Sequence, residues 1–163
     1  MKRSAFLLIC AVFLLRLTGS GQSKVIRRTW GTYLVRLPGN IRVGPDGREI
    51  PSRDTVLVVY AETTVPGLTW SRAWFNGNSY DIVATRSDSG YIDAGTRPDQ
   101  AKVIIRCAKG DRLWRLQLLP AARAVGCPVR LLRGEIGVAG IYRHKKFIRR
   151  IRSLTELEGP PIP

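Results

Sequence analysis

The stretch YRHKKFIRRIR, residues 142–152, carries the densest charge in the chain and its only histidine. Six of its eleven residues are Lys or Arg. Arg143, Lys145, Lys146, Arg149, Arg150 and Arg152 are the side chains that would hold an anion here, through Coulomb attraction and charge-assisted hydrogen bonds. The same residues also suit the solvated face of an edge strand, where charge discourages pairing with another chain. His144 has no carboxylate near it in sequence to orient it as a general base, so it reads as an exposed turn residue. Cys107 and Cys127 are a disulfide candidate if the chain is exported. The bond would close a loop of about twenty residues and stabilise by ~3 kcal/mol in the chain-entropy model. The alternative is two separate thiols that pack as small apolar groups. Two cysteines and one histidine do not make four ligands at motif spacing, so no metal site is expected. There is no glycine-rich phosphate loop and no nucleophile elbow, so no cofactor is expected either.

Two further groups bear on chemistry. The segment YIDAGT, 91–96, resembles the hydrophobic-hydrophobic-Asp-small-Gly-Thr signature of aspartic proteases, with Ala94 where that family has Ser or Thr. The resemblance covers six residues and implies a dimer, in which Asp93 shares a proton with its copy. Otherwise Asp93 caps its own turn through a side-chain hydrogen bond. Trp70 and Trp74, with Arg72 between them, fall on one face of a strand under period two. Exposed, they make a stacking platform for carbohydrate; buried, they are an aromatic core layer, which is the favoured reading.

The elements that must position these groups read as strands. TVLVVYAE, 55–62, is a β-branched apolar run suited to a buried strand. Asn76-Gly77 between LTWSRAWF and SYDIVATR predicts a hairpin. Pro45-Asp46-Gly47 marks a turn between NIRV and REI. Lys109-Gly110-Asp111 predicts a second hairpin, joining AKVIIRCA to RLWRLQLL, with Val103, Ile105, Cys107, Trp114, Leu116 and Leu118 directed inward. PVRLL and IGVAGIY read as further short strands, and residues 87–100 as a polar loop. Residues 145–157 support two readings. One is a helix with a Phe147, Ile148, Ile151, Leu154 stripe. The other, slightly favoured, is a hairpin strand with Phe147, Arg149 and Ile151 on one face. In both, the basic side chains are expected to point outward.

The opening MKRSAFLLICAVFLLRLTGSGQSK has the basic, apolar and small-residue regions of a secretory signal peptide, over residues 1–23. Its eleven-residue apolar run, Ala5 to Leu15, is shorter than the ~20 residues a spanning helix needs. An uncleaved membrane anchor is the alternative. Cys10 lies inside the apolar run behind Leu8 and Ile9, which is unlike a lipid-attachment site. Residues 24–154 read as one domain and 155–163 as a Pro-rich tail.

Charge is the unusual property. Twenty-seven Lys and Arg against twelve Asp and Glu give +15. From Arg112 to Arg152 there are eleven basic residues and a single acid, Glu135. The expected fold is all-β, a single antiparallel sandwich or partly open barrel of seven to nine strands, secreted or periplasmic. The expected role is non-catalytic, as an envelope-associated binding or structural module. Its partner would be anionic, a lipid headgroup or an acidic polysaccharide, since export argues against nucleic acid. An aspartic hydrolase using Asp93 and a carbohydrate binder using Trp70 and Trp74 are the alternatives.

Overall fold

A computed structural model describes residues 25–36, 42–43, 49–50 and 54–158. The expected signal peptide and the Pro45-Asp46-Gly47 turn lie outside the described residues. Twelve strands follow in order, with no helix among the described residues: β1 (Ile26–Arg36), β2 (Arg42–Val43), β3 (Glu49–Ile50), β4 (Asp54–Thr63), β5 (Thr69–Phe75), β6 (Asn78–Ser87), β7 (Tyr91–Thr96), β8 (Lys102–Arg106), β9 (Arg112–Pro120), β10 (Ile136–Tyr142), β11 (Lys145–Ile151) and β12 (Leu154–Leu157). Eight form one sheet in the order β11-β10-β5-β6-β9-β4-β1-β12, while β2–β3 and β7–β8 are separate two-stranded pairs.

The fold is all-β, but it is one curled sheet and not a sandwich of two. The sheet is also mixed, because β12 runs parallel to β1 from Gly31↔Leu154 to Leu34↔Leu157. β11 and β12 occupy opposite edges, yet only Arg152 and Ser153 join them. So short a link forces the two edges together and bends the sheet into a half-barrel. At this seam a Cβ on Gly31 would collide with the Leu154 side chain and lie 3.1 Å from Ile151 Cγ2. A side chain at this position would require the Leu154 and Ile151 side chains to move aside or the edges to part. β12 also takes in the first residues expected to be tail, and the Glu158 amide donates to Thr96 O at 2.7 Å.

Period two sorts the side chains of each strand between the concave and convex faces. The concave face holds the main core: Leu57, Val59 and Ala61 from β4, Leu116 and Leu118 from β9, Ala73 from β5, Ile136 and Val138 from β10, and Ile151 from β11. β4 is buried on both faces, which explains its uninterrupted apolar run.

Two different layers cover the convex face. Over β1, β4 and β9 lies the β7–β8 hairpin, whose Ile105 packs with Val58, Tyr60 and Leu113. Over β5, β6 and β10 lies the irregular connection from Ala121 to Glu135, which we term the flap. The Trp74 indole donates to Val125 O at 2.8 Å, the Val125 amide donates to Ser79 Oγ at 3.1 Å, and Leu131 sits against Gly137.

Several local expectations change accordingly. Residues 91–96 are strand β7 and not loop, because Tyr91, Ile92 and Asp93 find partners in Arg106, Ile105 and Ile104 of β8. β8 therefore does not form a hairpin with β9. After Arg106 the chain drops from the second layer into the main sheet, where β9 pairs with β4 and β6. Leu113, expected to face away from the core, is buried beneath that hairpin. PVRLL is not a strand but part of the flap. The Asn76-Gly77 turn does join β5 to β6, with both residues at positive φ (46° and 82°).

Candidate functional site

Residues 145–151 are a strand, and β10 and β11 form a hairpin closed by the two-residue turn Arg143-His144. Both turn residues have positive φ, 46° and 64°, a conformation that costs non-glycine residues roughly 1 kcal/mol or more each. The turn holds Arg143 at the tip, where its guanidinium stacks 5.3 Å from the Tyr142 ring centroid.

The six basic residues singled out in sequence separate by position. Arg143, Lys145, Lys146 and Arg150 are exposed and form no ion pair among the described residues. Arg152 is exposed too, but it lies 3.8 Å from the carboxylate of buried Glu135. Arg149 does not point outward. It follows Phe147 and precedes Ile151 on the concave face, opposite buried Val138, with its Nε enclosed and unpartnered. Strand alternation dictates this, so Arg149 is not part of the outward-facing basic group.

The flap adds Arg123, Arg130 and Arg133, all exposed. It also displays apolar side chains. Val125 is 44% exposed and Leu132 64%, and Ile141 of β10 is 37% exposed. Between flap and hairpin runs an open groove of about 830 Å³. Ala139, Ile141 and Ile148 floor it, Trp74, Pro128 and Val129 form its flap side, and Arg72 and Lys146 stand at its rim.

Trp70 and Trp74 are not on one face. In the β5–β10 ladder Ala139 opposes Arg72 while Gly140 opposes Trp70, which leaves Ser71 as an extra residue. This bulge flips Trp70 into the concave core. There it meets Trp114 edge-on at 6.4 Å and Phe147 at 5.9 Å. Trp74 stays convex and is buried under the flap. Together they form no stacking platform.

Cys107 and Cys127 are both free thiols. Cys107 belongs to the β7–β8 cover, with Sγ 3.5 Å from Gly90 O and 3.7 Å from Asp111 O. Cys127 belongs to the flap, over the other half of the sheet. The two sit in different covers, so the expected disulfide does not form. Asp93 stands at a bulge in β7 and accepts the Gly95 amide at 3.0 Å, a cap on its own turn. Among the described residues no group of three or more His, Cys, Asp or Glu side chains is placed to hold a metal ion. Among the same residues no helix is long and apolar enough to cross a membrane.

Sequence reading missed a carboxyl pair. Glu62, at the end of β4, is fully buried. It accepts the Ala108 amide at 2.8 Å and the Arg28 Nε, and Asp111 lies beside it with Arg27 at 3.2 Å. Burial pushes the Glu62 carboxyl up, but Arg28, the Ala108 amide and Asp111 outweigh it and hold it down at about 2. Asp111 moves the opposite way, raised by burial and by Glu62. The cluster joins β1 and β4 to the link between β8 and β9. An acid closing an apolar run was its only trace in sequence, because the Arg28↔Glu62 register is not locally encoded.

No family model matches the chain, and no curated protein or solved structure matches it either.

Proposed function

We propose that this is an exported, non-catalytic domain that docks on an anionic envelope surface through the β10–β11 hairpin and the flap. One contrast carries this reading. Arg130, Arg133, Arg143, Lys145, Lys146 and Arg150 are exposed and make no ion pair among the described residues. Elsewhere Arg27, Arg28, Arg72, Arg86 and Arg97 each sit against a carboxylate, and Lys102, Arg106, Lys109 and Arg115 are exposed without one among the described residues. The hairpin and flap hold the larger group of uncompensated cations, and such a group produces a field that attracts polyanions. The strained Arg143-His144 turn supports the same reading, since such backbone persists where the surrounding structure enforces it and is concentrated at functional sites. Export rests on the signal-peptide pattern of residues 1–23. N-terminal sequencing of the protein recovered outside the cytoplasm tests that part.

Binding is tested by co-sedimentation with vesicles containing anionic phospholipid and by retention on heparin, each over a range of salt. Near an anionic membrane each basic residue contributes about 1 kcal/mol. Replacing Arg143, Lys145, Lys146 and Arg150 by Gln is therefore expected to weaken vesicle binding by roughly a thousand-fold. Unchanged binding by that variant sinks the proposal.

A further inference from the structure

The groove between flap and hairpin differs from the rest of the basic region because it is apolar. We infer that it seats one acyl chain of an anionic phospholipid, with Lys146 and Arg150 holding the headgroup beside it. This rests on the anionic-surface reading above and names which surface is meant.

Three observations select a lipid over an acidic polysaccharide. First, Ser71, Arg72 and Lys146 are the only lining side chains that hydrogen-bond readily while Pro128, Val129, Ala139, Ile141, Phe147 and Ile148 are apolar, whereas sugar recognition needs donors and acceptors along the ligand. Second, the volume of about 830 Å³ falls in the range of roughly 300–1,000 Å³ that suits a small-molecule-sized apolar guest. Third, the surface around the groove interleaves cations with exposed apolar residues. Leu132, the most exposed large apolar side chain among the described residues, lies between Leu131 and Arg133, and Val125 lies two residues after Arg123. A polysaccharide leaves these side chains in water. The headgroup boundary of a bilayer accepts both kinds at once, apolar groups into the acyl region and cations at the phosphates. The charges match as well. Lys146 stands at the rim, Arg150 lies four residues on along the same convex face of β11, and no acidic side chain lines the groove.

The register places Ile148 beside Ala139 and Lys146 beside Ile141, so two alternate rungs of the hairpin, separated by Gly140↔Phe147, each offer the groove an apolar side chain. Trp74 contributes its ring from the flap side. A chain in the groove would therefore lie within contact distance of Trp74, while Trp70 and Trp114 pack on the opposite side of the sheet and Trp30 packs beneath the β7–β8 hairpin over the other half.

The experiment uses the full protein with vesicles of phosphatidylglycerol carrying brominated acyl chains, matched phosphatidylcholine vesicles, and heparin as an anion without a chain. The brominated anionic vesicles are expected to quench tryptophan emission, and Trp74→Phe is expected to remove most of that quenching. Ile141→Asn alters a side chain already partly in water, so the fold should survive, as circular dichroism would check. It is expected to weaken vesicle binding about tenfold while leaving heparin retention unchanged. Wild-type vesicle binding should also persist in part at about 1 M salt, where purely electrostatic contacts are screened. If vesicles and heparin both bind but bromine does not quench, or Ile141→Asn binds vesicles normally, the groove assignment is overturned and the anionic-surface reading stands. If neither vesicles nor heparin bind, both are overturned.

Discussion

The two covers of the convex face solve the same problem differently. The β7–β8 hairpin covers its half with an apolar cluster around Ile105 and Leu113, tied at one end to the Glu62 network. The flap covers the other half with irregular backbone, and its hydrogen bonds to Trp74, Ser79 and Asn76 come from its two ends. One cover is tied down by a charge network of Arg27, Arg28, Glu62 and Asp111, although Lys102, Arg106 and Lys109 on it remain exposed. The other leaves its charges facing outward. A buried apolar cluster lies under the hairpin and the proposed binding surface beside the flap, consistent with the general rule that loops on a rigid scaffold carry recognition.

The largest expected effect tests whether the hairpin is a structural cover. Ile105→Ala removes a side chain that is 3% exposed and should cost about 3 kcal/mol, read from urea denaturation. A change below about 1 kcal/mol would mean that this cover is not part of the core.

Next is Glu62→Gln, with an expected loss of about 2 kcal/mol at neutral pH, because it disturbs a buried, hydrogen-bonded charge. Its pH signature is more specific. The Glu62 carboxyl is held below its ordinary value of 4.5, so its stabilisation is present above that pH and lost as pH falls toward about 2. Asp111 is raised, so its contribution has the opposite sign, present at low pH and lost as pH rises through its folded pKa. Acid unfolding of the Glu62→Gln variant should therefore be flatter between pH 4.5 and about 2 than that of the wild type.

On the flap side, Trp74→Phe removes the bond to Val125 O and should cost about 1 kcal/mol. Hydrogen exchange should quicken across the flap and remain slow in β8, and equal acceleration in both would erase the contrast between the covers. The smallest effect has the opposite sign. Replacing Arg143-His144 by Asn-Gly relieves two positive-φ residues and should stabilise by about 0.5–1 kcal/mol, seen as a raised Tm. It should also weaken anion binding through loss of Arg143.

What was legible in sequence was what the chain encodes locally. Asn76-Gly77 announced its hairpin because a two-residue turn fixes both the register and its own φ values. β4 announced itself by burying both faces, and the alternation of Phe147, Arg149 and Ile151 was readable once β11 was taken as a strand. The misread features depend on distant partners. Lys109-Gly110-Asp111 looks like a hairpin turn, yet the chain uses it to change layers. The Ser71 bulge, which separates Trp70 from Trp74, shows only in the pairing with β10. Gly31 gave no hint that it sits at a seam, because the residues it must clear are about 120 positions later. Compartment alone suggested a bond between the cysteines, but placement in two separate covers decides their state.

The link of only Arg152 and Ser153 between β11 and β12 also has a consequence in time. The Tyr33 hydroxyl of β1 and the Glu156 carboxylate of β12, bonded at 2.9 Å, are 123 residues apart in the chain. β1 can settle against β4 early in synthesis, but its other edge waits until almost every later strand has left the ribosome. Until then that edge presents unpaired amides and carbonyls to any passing strand. Such long-range closure is slow, so the half-finished sheet should be the species a chaperone meets and the one most prone to aggregate.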